Sequence, residues 1–171
     1  MNFIILFFFL FLLSCTSEKQ ESFVTSCPEV FFSKDHRIYI TTEESSITLH
    51  NISYKAEINN YNITKECFIK DNKITTTLSI LFVVKPEKAK EVEILLPYYV
   101  ALLDDENNIV NIQYYKAKGL INKNIDNTLF VDTEITTTQN VIISTQDINE
   151  DSFKKLLIGF MLNQEQLEFL N

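Results

Sequence analysis

Along 73–84 the chain reads Lys-Ile-Thr-Thr-Thr-Leu-Ser-Ile-Leu-Phe-Val-Val, and Ile74, Thr76, Leu78, Ile80, Phe82 and Val84 fall at every second position. A period of two puts these six side chains on one face of an extended strand; a helix would need its apolar residues every three to four positions. The same period returns at 52–58, where Ile52, Tyr54, Ala56 and Ile58 alternate with Ser53, Lys55 and Glu57, and at 91–96, where Val92, Ile94 and Leu96 alternate with Glu91 and Glu93. It recurs at 109–117 through Val110, Ile112 and Tyr114, and at 141–145 through Val141, Ile143 and Thr145 against Ile142 and Ser144. Shorter strands are expected at 28–32, 37–41, 63–70, 129–135 and 156–162. The end of 73–84 is apolar on both faces, which places that strand in a sheet centre.

Polar clusters punctuate these strands. Asn59-Asn60-Tyr61-Asn62 and Asp71-Asn72 read as turns, 85–90 as a charged connection, Pro97 as an interruption, and Asp104-Asp105-Glu106-Asn107-Asn108 as an acidic turn. That acidic run lacks the spaced ligand positions and the glycine of a calcium loop. Asn163 can cap a short C-terminal helix with Gln166 as its reciprocal partner. About eight strands with short turns indicate an all-β fold, an antiparallel immunoglobulin-like β-sandwich closed by that helix. A closed barrel is the rival, but small barrels use glycine at their corners and the chain has Gly 2.

Ahead of the strands runs an unbroken apolar stretch from Phe3 to Leu13. It is shorter than the roughly 20 residues of a membrane-spanning helix and fits the core of an export signal. It ends in Leu12-Leu13-Ser14-Cys15, which resembles a bacterial lipobox, although no Lys or Arg precedes the apolar run. On this reading 1–14 is a lipoprotein signal peptide, 15–26 a tether lipidated at Cys15, and 27–171 the sandwich domain. Several fatty-acyl chains at Cys15 would hold the protein stably on a membrane, at about 0.8 kcal/mol per buried methylene. Thr16 in place of an Asp leans towards the outer membrane, with the domain facing the periplasm. A conventional signal peptide with an incidental cysteine is the alternative.

The signal carries no charge, so the formal charge of −8 belongs to the exported part. An acidic surface argues against nucleic acid, whose phosphates are bound by neutralising them. With Cys15 lipidated, Cys27 and Cys67 remain in an oxidising compartment, and a disulfide between them is expected. A metal site is the weaker rival, because His36 and His50 fit no ligand spacing. Neither a metal nor a cofactor is expected.

Four local patterns resemble a family of uncharacterised lipoproteins of Gram-negative bacteria. They are Cys27-Pro28 after the lipobox, Ala56-Glu57-Ile58 followed by Cys67, Leu96-Pro97-Tyr98-Tyr99-Val100-Ala101, and Gly159-Phe160-Met161-Leu162 leading to Glu165-Gln166-Leu167. The chain departs from that pattern at Glu66 and at its Leu170-Asn171 end. The resemblance implies a shared core and the disulfide, and it implies no activity.

Three functions are compatible with these features. The first is a non-catalytic, lipid-anchored envelope protein that docks on an envelope protein partner, with Tyr99 and Tyr115 as candidate contacts; the competing reading is that these tyrosines cover the second sheet. The second is a carrier of a lipid or small apolar ligand, which would need an internal cavity. The third, an enzyme acting on envelope polymers, lacks a visible nucleophile with its base or a carboxylate pair.

Overall fold

The computed structural model describes residues 23–42, 44, 46–70, 73–87, 93–123, 129–144 and 155–171. Cys15 with the rest of 1–22, the Asp71-Asn72 turn, Glu91, Val92 and Thr145 lie outside them. Nine strands occur among the described residues: β1 (Phe23–Thr25), β2 (Glu29–Phe32), β3 (Ile38–Thr42), β4 (Ile52–Lys70), β5 (Lys73–Pro86), β6 (Glu93–Leu103), β7 (Ile109–Leu120), β8 (Thr133–Ser144) and β9 (Lys155–Phe160). One helix occurs among the described residues, α1 (Gln164–Leu170), and it follows β9.

Two sheets form. One runs β1-β4-β5-β8, with β3 also on β4; the other runs β2-β9-β6-β7. All pairings are antiparallel except β2 with β9. The architecture is the all-β sandwich expected, and β5 lies inside its sheet as its two-sided apolarity requires. β1 pairs with β4 at Thr25 and Cys67, so the last residues of the expected tether belong to the sheet.

Each sheet buries its alternating set. From β5 these are Leu78, Ile80, Phe82 and Val84; from β6, Ile94, Leu96, Tyr98, Val100 and Leu102; from β9, Leu156, Ile158 and Phe160. Five rings join the layers in series, Tyr39 on Phe160 at 5.5 Å, Phe160 on Phe82 at 5.5 Å, Phe82 on Tyr98 at 5.2 Å, and Tyr98 on Tyr115 at 5.5 Å. Offset and tilted pairs at such spacing add about 0.5–1.5 kcal/mol each beyond the area they bury.

Several expectations from the sequence are corrected. Asn59-Asn60-Tyr61-Asn62 is no turn, because β4 passes through it without reversing. A register shift between Ile58 and Asn60 inserts Asn59 as an extra residue. The insertion flips the parity, so the inward set Tyr54, Ala56, Ile58 is continued by the partly buried Tyr61 and Ile63 instead of by even positions. Two more shifts before Phe68 bring Cys67 back to the interior.

Pro97 does not interrupt β6 either. The Met161 N–H donates to the Pro97 carbonyl at 2.9 Å, so Pro97 turns its backbone polar groups towards β9, whose pairing with β6 has ended at Tyr98 and Phe160. The missing proline N–H therefore falls at the end of the β6–β9 ladder, where it forgoes one terminal bond and leaves the β6–β7 ladder intact. The segments 129–135 and 141–145 also differ from expectation, since a single strand, β8, runs from Thr133.

The C-terminal helix forms as its capping pair dictates. Asn163 Oδ1 accepts from the Gln166 N–H at 2.8 Å and Gln166 Oε1 accepts from the Asn163 N–H at 2.9 Å. The Gln166 amide then donates to the Ile40 carbonyl at 2.6 Å, which pins α1 to β3. Gln166→Ala removes one cap bond and leaves that buried carbonyl without its donor, so a loss of about 1–3 kcal/mol is expected in denaturant unfolding. Glu168→Ala, on the exposed side of α1, should change stability by less than about 0.5 kcal/mol.

Candidate functional site

The feature that sets this sandwich apart is the outer face of the β2-β9-β6-β7 sheet, where water rather than a second layer is expected. Residues opposite one another in register share a face. Phe31 pairs with Leu157, Leu157 with Ala101, and Ala101 with Ile112, giving one apolar row across all four strands. The next row carries Gly159, Tyr99 and Tyr114. Ala101 and Leu103 are buried although they point away from the core, while Phe31 is 38 % exposed, Val110 42 % and Tyr114 61 %.

The two candidate contact tyrosines occupy different places. Tyr99 is on this outer face but is half-buried. Its ring packs edge-on against His36 with centroids 5.8 Å apart, and it covers Gly159, where an added Cβ would sit 2.5 Å from the Tyr99 hydroxyl oxygen. His36 is itself tied to β9: its Nδ1 lies 2.9 Å from the Phe160 carbonyl, and its own carbonyl accepts from the Phe160 N–H at 2.7 Å. Burial raises the Tyr99 phenol above its ordinary pKa, a hydrogen bond with Ser33 opposes this, and the Asp35 charge adds to the rise.

Gly159→Ala should therefore push Tyr99 off the sheet and cost about 1–3 kcal/mol. In a Tyr99→Ala background the same change should cost clearly less, and a double-mutant cycle on melting reads the coupling.

Tyr115 lies on the opposite, inward face of β7. Its ring stacks on Tyr98, and its hydroxyl donates to Gln113 Oε1 at 2.6 Å and approaches the Asn140 carbonyl at 3.4 Å. Burial raises its phenol as well. The parity expected for β7 is thus reversed, with Tyr115 and Ala117 inward and Val110 and Tyr114 outward. Both faces of that strand begin apolar, and the period alone does not choose between them. Gln113 and Tyr115 serve the sandwich by reaching from β7 to the Ile142 and Asn140 carbonyls of β8.

A second feature is a half-open cleft of about 660 Å³ at one end of the sandwich, lined by residues that include Thr41, Tyr54, Ile94, Leu95, Lys118 and Leu120. Its lining mixes polar with apolar side chains, and Leu95 and Leu120 are exposed within it.

Among the described residues, two further sequence candidates have structural roles. Cys27 and Cys67 form the expected disulfide, with Cα atoms 5.1 Å apart. The Asp104 carboxylate is engaged by Asn108, whose side-chain and backbone N–H groups hold it below the usual carboxylate pKa. Among the described residues no cluster of three or more His, Cys, Asp or Glu could hold a metal ion, and no helix is long and apolar enough to cross a membrane. No family model, curated protein or solved structure matches the chain.

Proposed function

We propose that the protein is a non-catalytic, lipid-anchored cell-envelope protein, held by acylated Cys15 at the outer membrane and facing the periplasm, whose sandwich docks on another envelope protein. The observation that carries the docking is the apolar outer face of the β2-β9-β6-β7 sheet. Apolar side chains that are at least partly exposed occur on all four neighbouring strands of this face, Phe31, Leu157, Tyr99 and Ile112 among them, and apolar patches on an otherwise acidic protein mark interaction sites. The contact is assigned to Phe31 and its neighbours Leu157 and Ile112, with Tyr99 holding the face flat over Gly159.

Affinity capture from crosslinked envelopes tests this assignment. Phe31→Glu should deplete one specific crosslinked partner at least tenfold while melting stays within a few degrees. Leu49→Glu, at a residue 80 % exposed outside that sheet, should leave the partner in place. Equal capture by both variants would remove the contact from this face.

A second reading, carriage of a small apolar ligand, is supported by the cleft volume, which lies in the range of ligand pockets of roughly 300–1,000 Å³. Saturable binding of an apolar fluorophore, abolished by Leu95→Glu, would favour it over docking.

A further inference from the structure

Strand β7 is twelve residues long and, among the described residues, pairs with β6 alone. Which of its backbone groups β6 leaves unused follows from the ladder. Pro97 turns its carbonyl towards β9, and backbone polar groups alternate sides along a strand, so Tyr98 turns its groups towards β7 and Tyr115 answers it. Ile112, Tyr114, Lys116 and Lys118 then direct their N–H and C=O groups away from the sheet. A row of this length that the described residues leave unpaired is a template for another strand.

Charge selects what that strand can be. β7 is entered from the acidic turn holding Asp104, Asp105 and Glu106, and its second half carries Lys116 and Lys118, with Lys123 just beyond; no carboxylate occurs from Ile109 to Lys123. The element is thus negative at one end and positive at the other. A copy laid alongside in the same direction sets Lys against Lys, whereas a copy laid antiparallel sets each acidic end against a basic one.

We propose that β7 pairs antiparallel with β7 of a second copy of this chain, joining the two β2-β9-β6-β7 sheets into one eight-stranded sheet. Centring the two-fold axis on Tyr114 places the two Tyr114 residues in a hydrogen-bonded pair. Ile112 of one copy then faces Lys116 of the other, Val110 faces Lys118, and the acidic turn of each approaches Lys118 and Lys123 of the other. No like charges oppose one another in this register. The Gly159-Tyr99-Tyr114 rows of the two copies become continuous across the joined sheet. This pairing rests on neither the lipid anchor nor a heterologous partner.

Cysteine scanning of the full chain in detergent extracts, with a mild oxidant, tests it. In a hydrogen-bonded antiparallel pair the Cα atoms lie about 5.5 Å apart, within disulfide reach. Tyr114→Cys should therefore convert most of the chain into a disulfide-linked species of twice its mass. Val110→Cys and Lys118→Cys should each stay monomeric and crosslink when present together. Lys116→Pro, which removes an N–H that β6 does not use, should suppress the Tyr114→Cys dimer at least tenfold without opening the Cys27–Cys67 bond. A monomeric Tyr114→Cys, an adduct with a different protein, or equal crosslinking of all three single variants would each overturn the proposal. Should Lys116→Pro unfold, the pattern among the cysteine variants still decides.

Discussion

Replacing Cys27 and Cys67 together by serine is expected to lower the melting midpoint by about 8–16 °C. The bond closes a loop with a sequence separation of 40. Releasing it returns about 4 kcal/mol of entropy to the unfolded chain, and each kcal/mol moves the midpoint of a domain this size by about 2–4 °C. Its place in the fold argues for the full effect. Cys27 lies between β1, in one sheet, and β2, in the other, while Cys67 is fully buried on β4, so the link fixes the crossing of the chain between layers. Scanning calorimetry of the double variant, and of the wild type under reductant, should give the same loss. A change below about 2 °C in both would show that β1 and β2 hold without the bond.

The largest single-residue effect is expected at Tyr98. Its ring is fully buried between Phe82 and Tyr115, and Tyr98→Ala should cost about 3–5 kcal/mol, the range for truncating a core aromatic. Tyr98→Phe should behave oppositely. Among the described residues the Tyr98 hydroxyl, though buried, has no hydrogen-bond partner of good geometry, so its removal should leave stability unchanged or raise it by up to about 1 kcal/mol. The two substitutions separate the ring's packing from its polar tip.

The same hydroxyl gives a pH test. Burial pushes the Tyr98 phenol up to about 12, against an ordinary value of 10.0. Below pH 10 both folded and unfolded chains keep the proton, and the group has no pH-dependent effect. Above it the unfolded chain ionises first, so the folded state holds more protons and stability falls as pH rises towards about 12. The alkaline decline in melting temperature should be shallower in Tyr98→Phe; identical slopes would contradict the assignment.

Where alternation ran unbroken, the residues were a sufficient guide. Leu78, Ile80, Phe82 and Val84 face the core as their period demands, and the Asn163–Gln166 cap is local chemistry that depends on no distant contact. What misled was local as well. Asn59 and Asn60 have turn chemistry, but an inserted residue in a long ladder uses the same residue types, and only the pairing of β4 with β5 distinguishes the two. Pro97 looked like a break because its cost depends on whether a neighbour strand needs its N–H, which is a property of β9. The β7 faces were ambiguous because Tyr114 and Tyr115 are equally apolar. The outer apolar face was half visible, as a surplus of apolar residues around 96–103 and 109–117. Its full extent needed the pairing of Phe31 with Leu157 and of Leu157 with Ala101.

The proposed anchored-docking function depends first on Cys15, and the mature N-terminus can be read directly. Mass spectrometry of the protein purified from membranes of cells grown with labelled fatty acid should find a chain beginning at Cys15, with a thioether-linked diacylglycerol and the label. Cys15→Ala should yield an unlabelled precursor that retains the apolar leader. A mature chain that begins elsewhere, or that carries Cys15 as a free thiol, would contradict the anchor.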